Sequence, residues 1–213
     1  VEWWGRLTAA SGPPLETLRS GTFIALDLET TGLDPARDAV VSAAAIPFID
    51  GQPEPGYATL VNPGRPIPSA STLIHGIADA DVADAPGLDD VLPQLEYVLA
   101  GHIVVGHGIG FDLAILSREC RVRQRPRLRN LSLDTRSLVA ALHPAWRDVE
   151  LETVAGRYGV PITGRHTAPG DALIAGRLLL ALLPELAAHG VRDIGEIGWL
   201  QRRQGSPGGP PGV

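Results

Sequence analysis

Hydrophobic positions fall first into short dense runs and then into wider, helix-like spacing. Residues 22–29, 40–49 and 58–61 are largely apolar, and the second run ends at Asp50-Gly51, a dipeptide that favours a hairpin turn. These runs predict three strands in an antiparallel meander. Farther along, residues 102–105 and 131–133 are brief apolar stretches suited to strands, each followed by a helical pattern. A short helical piece containing Ile74-His75-Gly76-Ile77 is expected, with helices over about 88–99, 111–120, 135–142, 151–158 and 171–183. Hairpin-linked strands followed by strand–helix alternation predict an α/β fold, a mixed sheet with helices on its faces.

Two acids interrupt the first strand. Asp27 and Glu29 stand in Phe23-Ile24-Ala25-Leu26-Asp27-Leu28-Glu29-Thr30-Thr31-Gly32. Side chains alternate along a strand, so both carboxylates point to one face, about 6–7 Å apart along the backbone. Burying unpaired carboxylates is costly. Their position after a hydrophobic run therefore demands a positive partner, and two oxygen donors on one face form a ledge for divalent cations.

Two later segments carry further candidates. In Val104-Val105-Gly106-His107-Gly108-Ile109-Gly110-Phe111-Asp112, a strand ends, glycines permit a tight turn, and Asp112 begins a helix near the carboxyl end of the strand. A dinucleotide loop is excluded, because GxGxxG needs glycine where Phe111 stands. Asp112 by itself is open to two readings, a helix cap or dipole partner and a ligand. The other segment is His166-Thr167-Ala168-Pro169-Gly170-Asp171. Five helical residues turn by about 140°, so His166 and Asp171 cannot share one helical face. They converge if the helix starts between them, with Pro169 in its first turn and His166 on the incoming loop. A loop histidine beside metal-bound acids is suited to taking a proton from water.

Composition bounds these ideas. The chain has 213 residues, 44% of them hydrophobic, enough for one domain and its extensions. The expected divisions are an N-terminal appendage over 1–20 containing Trp3 and Trp4, a core domain over 21–190, and an extension over 191–213 with a disordered Gly/Pro tail. Cys120 is the single cysteine, which excludes internal disulfides and multi-cysteine zinc sites. No apolar run is long enough to span a bilayer and no signal-peptide pattern is present, so a cytoplasmic location without membrane partners is expected. There is no methionine, which leaves a trimmed initiator, an alternative start and a piece of a longer chain equally open.

The formal charge of −6 argues against gripping nucleic acid through general basicity, but not against a nucleic-acid enzyme whose acids are neutralised by ions. Every basic residue is arginine. Six of them, Arg118, Arg121, Arg123, Arg125, Arg127 and Arg129, crowd one stretch. If extended, the alternating ones would line one side as phosphate-binding forks; otherwise they form a solvated loop.

Taken together, Asp-x-Glu-Thr-Thr-Gly, His-x-x-x-Phe-Asp and His-x-x-x-x-Asp, in that order, resemble the DEDDh exonuclease family, typified by the proofreading epsilon subunit of bacterial replicative DNA polymerase. Ile74-His75-Gly76-Ile77, Leu133-Asp134-Thr135 and the segment 151–160 add to the resemblance, which covers roughly 22–183. It implies a ribonuclease H-like fold, a five-stranded mixed sheet with three antiparallel strands then two parallel, flanked by helices. It also implies that Asp27, Glu29, Asp112 and Asp171 hold two divalent ions, Mg²⁺ or Mn²⁺, and that His166 is the general base. Thr30, Leu33, His75 and Phe111 would line the pocket for the terminal nucleotide. The implied activity is 3′–5′ hydrolysis of DNA to nucleoside 5′-monophosphates in proofreading or repair, on a single-stranded or frayed end, with a polymerase or other protein as partner.

Gly106 and Gly108 depart from the pattern, which usually has asparagine at both places, and altered support of that loop is expected. Thr30 stands where the short-RNA-degrading branch has methionine, which favours DNA, with RNA the alternative substrate. A non-catalytic nucleic-acid-binding module that kept the fold is the rival from another class. The segment 201–213 contains no glutamine-plus-aromatic clamp peptide.

Overall fold

The computed structural model describes residues 12–198; Trp3, Trp4 and the tail from Gly205 lie outside the described residues. In chain order the elements are α1 (Thr17–Ser20), β1 (Thr22–Thr30), β2 (Val40–Ile49), β3 (Gln52–Pro53), β4 (Tyr57–Leu60), α2 (Ser69–His75), α3 (Asp79–Val82) and α4 (Leu88–Leu99). Then follow β5 (Ile103–Gly106), α5 (Gly110–Val122), β6 (Ser132–Asp134), α6 (Thr135–Leu142), α7 (Leu151–Arg157) and α8 (Ala168–Ala188).

The strands form one sheet in the order β3-β2-β1-β5-β6, with β4 also paired to β2. β2 runs antiparallel to β1, β3 and β4, whereas β1–β5 and β5–β6 are parallel. This is the ribonuclease H-like arrangement of a mixed sheet. The five expected strands are joined by β3, whose two residues are too few to show in a hydrophobic pattern. The turn that makes it is Asp50-Gly51, with φ of 50° and 72°, the doubly positive pair of a tight hairpin.

β1 is central and buried on both faces, so it is apolar almost throughout rather than alternating. Phe23 and Ala25 face a core that includes Phe48, Leu133, Val139 and the buried side of α8. Ile24, Leu26 and Leu28 face a second core built with Leu92, Leu95, Ile115 and Leu116 of α4 and α5. The rings of Phe23 and Phe48 stack with centroids 4.8 Å apart, tying β1 to β2. Leu15 and Leu18 join the first core, as do Val191, Ile194 and Ile197. The two flanks also bond to each other, Leu15 N–H donating to the Arg192 carbonyl and Ile194 N–H to that of Pro13. Among the described residues, no helix is long and apolar enough to cross a membrane.

Candidate active site

The β1–β5 pairing ends at Ala25 and Val105, while β1 continues beside β2 as far as Thr30. The second half of β1 thus has one edge free of β5, at the carboxyl ends of two parallel strands where α/β sheets open a crevice. Asp112, in the first turn of α5, enters that gap and its Oδ1 accepts from Leu28 N–H at 2.9 Å. Its carboxylate thus ties the first turn of α5 to β1. Asp27 and Glu29 keep the parity of Phe23 and Ala25, which places them on the α8 side.

α8 supplies the third acid. Thr167 is its N-cap: its hydroxyl accepts from Gly170 N–H at 3.2 Å and donates to the Gly164 carbonyl at 2.7 Å. Pro169 falls in the first turn and Asp171 follows it, facing the sheet and buried. The preceding loop lies very close to the helix. A Cβ on Gly170 would come within 1.8 Å of the Gly164 carbonyl oxygen, so only glycine permits this approach. Asp27, Glu29 and Asp171 each present an oxygen within 4.8 Å of the others. Asp112 adjoins this trio without joining it. His166 is exposed on the incoming loop at a φ of 60°, with no hydrogen bond to the acids.

The electrostatics follow from crowding. Burial, then Asp112, Asp171 and Glu29, push the Asp27 carboxyl well above the ordinary carboxylate range. Burial followed by Asp171 raises Glu29 to about 7, and burial raises Asp112 to about 7 against the bonds it accepts from backbone N–H groups. Arg165 is the cation that opposes these shifts at Asp27 and Glu29. It pairs directly with Asp171 Oδ2, and nothing in the motif spacing singles it out; its place beside His166 is the one sequence signal for it.

The residues around the acids divide into support and surface. Thr30 is buried, with its hydroxyl donating to the Gly32 carbonyl at 2.6 Å. His75 is buried too: Nδ1 accepts from Ile77 N–H at 3.1 Å, Nε2 has no hydrogen-bond partner, and burial lowers its pKa. Leu33 is 85% exposed on the loop after β1, and α2, docked to that loop through Ser71 and the Thr31 carbonyl, exposes Leu73 and Ile74. Phe111 is half-buried against the second core.

The two glycines that depart from the pattern have distinct reasons. A side chain on Gly106 would meet Ile109 and the Leu26 carbonyl. Gly108 has a φ of 78°, and its N–H donates to Asp134 Oδ1 at 2.7 Å. His107 fastens the same turn, with Nδ1 3.0 Å from the Thr135 hydroxyl and Nε2 2.8 Å from the Val149 carbonyl. Asp134 and His107 therefore do the work of loop support, roles the motifs alone did not reveal.

The donor set fits a hard divalent cation. It consists of carboxylate oxygens, and Asp171 Oδ1 is buried with no hydrogen-bond partner. The arginine-rich segment is built differently. It forms neither the extended phosphate-facing strand nor a wholly solvated loop. Arg118 donates to the Pro35 carbonyl at 2.6 Å, so it holds the loop that carries Leu33, while Arg123 and Arg125 pair with Asp89, Glu119 and Glu96.

The model of the RNase_T exonuclease family matches residues 24–179. A DNA polymerase III subunit epsilon-like protein of Rhodobacter capsulatus is 38% identical over 198 residues, 91% of this chain and 28% of that protein, so the chain spans little more than a quarter of it. The DNA polymerase III subunit epsilon of Aquifex aeolicus is 30% identical over 84% of this chain and 89% of its own length. Among solved structures, Exonuclease X in complex with 5′-overhanging duplex DNA superposes with a TM-score of 0.66 at 24% identity, covering 84% of this chain and 99% of that one. Exonuclease I of E. coli with a dT13 oligonucleotide gives 0.68 at 18% identity, over 79% and 43%.

Proposed function

Because the chain belongs to the RNase_T exonuclease family, we propose that its acidic crevice removes nucleotides from the 3′ end of DNA by metal-assisted hydrolysis. The observation that carries this reading is the meeting of Asp27, Glu29 and Asp171, far apart in sequence, within reach of one cation, with Asp112 beside them. Asp27, Glu29, Asp112 and Asp171 would hold the two divalent ions, Mg²⁺ or Mn²⁺. When bound, such ions lower the pKa of water and stabilise charge on the leaving oxygen.

The chain's own groups do the rest. His166, exposed and uncommitted to any hydrogen bond, accepts at a ring nitrogen the proton of the water that attacks phosphorus. The bond from phosphorus to the 3′ oxygen breaks, and a nucleoside 5′-monophosphate leaves. Thr30, Leu33, His75 and Phe111 receive the terminal nucleotide, Leu33 offering an apolar surface and the buried Thr30 and His75 fixing the wall behind it. The neighbours' DNA and the polymerase relatives' names favour DNA over RNA, and a replication or repair setting in which a polymerase is the partner.

The test is release of mononucleotides from 3′-labelled single-stranded DNA with Mg²⁺, beside 5′-labelled DNA and RNA of the same sequence. Immediate release of label from the 3′ end, abolished by Asp27→Ala and by His166→Ala, is expected. Binding without turnover would favour a non-catalytic module, and undiminished release by both variants would refute the assigned roles.

A further inference from the structure

One cation already occupies the acidic crevice. The Arg165 side chain is 20% exposed and its partner Asp171 10%, so the pair sits largely out of water. Yet the pairing is incomplete. Arg165 Nη1 bonds Asp171 Oδ2, whereas Arg165 Nε and Asp171 Oδ1 are both buried with no hydrogen-bond partner. The same chain shows what a settled pair looks like: Arg125 grips both oxygens of Glu96, through Nε at 2.8 Å and Nη2 at 2.6 Å. Two-pronged bonding of that kind is the strong form for a guanidinium, and a buried polar atom without a partner is costly.

A guanidinium bonding one carboxylate oxygen leaves the rest of the trio unsatisfied, while a divalent cation would meet Asp27, Glu29 and Asp171 together. We propose that Arg165 is a tethered counter-ion of the crevice, holding Asp171 when no divalent ion is present and giving up its place when one enters. The inference rests on the reading of the crevice as a cation site. It assigns Arg165 a positioning role: by occupying Asp171 it reduces the fraction of molecules open to metal, and it keeps the crowded acids tolerable in the metal-free state. Apparent affinity for the ion falls in proportion to that open fraction.

The experiment uses the full chain stripped with EDTA and titrated with Mn²⁺, following free Mn²⁺ by electron paramagnetic resonance, with thermal melting alongside. Arg165→Gln, which removes the charge and shortens the side chain while keeping a polar end, is expected to bind Mn²⁺ roughly three- to tenfold more tightly, the gain for a site otherwise open about a tenth to a third of the time. It is also expected to melt lower without metal and to gain more from Mn²⁺. Arg165→Lys, which keeps the charge, should stay near the unsubstituted protein and serves if the glutamine variant fails to fold: affinity raised as much by lysine would refute the charge argument. Unchanged or weakened Mn²⁺ binding in Arg165→Gln, with normal binding by the unsubstituted protein, would overturn the proposal alone. Absence of Mn²⁺ binding by the unsubstituted protein would instead overturn the cation-site reading beneath it.

Discussion

Glu29 and Glu96 are both partly buried glutamates on regular elements, and their surroundings drive them in opposite directions. Burial and Asp171 lift Glu29 to about 7, while the hydrogen bonds from Arg125 pull Glu96 below its ordinary value. Each belongs to a charged region. The crevice gathers four acids around one incompletely paired arginine; the end of α5 and the segment after it gather arginines, of which Arg118, Arg123 and Arg125 are matched by Glu96, Glu119 and Asp89. Matched charge builds structure, whereas unmatched buried charge is tolerated where something else is meant to bind. The difference separates chemistry from scaffolding in a chain whose motifs and arginine run look equally charged on paper.

The largest expected break in that comparison is Asp27→Asn. Nuclease activity should fall on the order of 10²–10³-fold, the scale of losing one preorganised charge in a protected site, while circular dichroism is unchanged and metal-free melting rises as a crowded buried carboxyl is removed. A variant that retains activity would show that the crevice is scaffolding after all. Gly170→Ala should affect both properties. The added methyl meets the Gly164 carbonyl, costs about 1–3 kcal/mol in chemical denaturation, and displaces the loop carrying Arg165 and His166, so activity falls as well. Glu119→Ala should give the reverse of Asp27→Asn. Loss of the partner of Arg118 and Arg123 should lower stability by about 2 kcal/mol, with activity per folded molecule kept.

The mildest effect is on pH dependence. Glu29 and Asp112 have folded-state values near 7 against ordinary values of 4.5 and 3.8. Between those limits the folded protein binds more protons than the unfolded one, so metal-free stability falls as pH rises toward 7. Denaturation at pH 5 and pH 7.5 should show this fall in EDTA and a smaller one with Mg²⁺. Equal metal-free stability at the two pH values would mean that the acids are already matched.

Much of this contrast was legible in the chain. The two-residue alternation of Asp27 and Glu29 is a local property of a strand, and the Thr167-Ala168-Pro169 start of α8 is local capping chemistry, so both could be read from neighbouring residues. The two-residue β3 could not, because a strand that short has no period. Arg118 also escaped as a holder of the loop of 34–38, since the carbonyls it bonds there lie about eighty residues away and no local pattern encodes them.

The sequence by itself determined which residues have the chemistry of a cation site and which local elements carry them, because strand alternation, helix starts and turn residues act over a few positions. Tertiary structure alone decided that Asp171 closes on Asp27 and Glu29, that Asp112 reaches its place through the Leu28 N–H, and that Arg165 rather than another arginine enters the crevice. Those outcomes depend on where the β1–β5 pairing stops and how closely Gly170 lets the loop approach α8, and both are set by packing between distant segments.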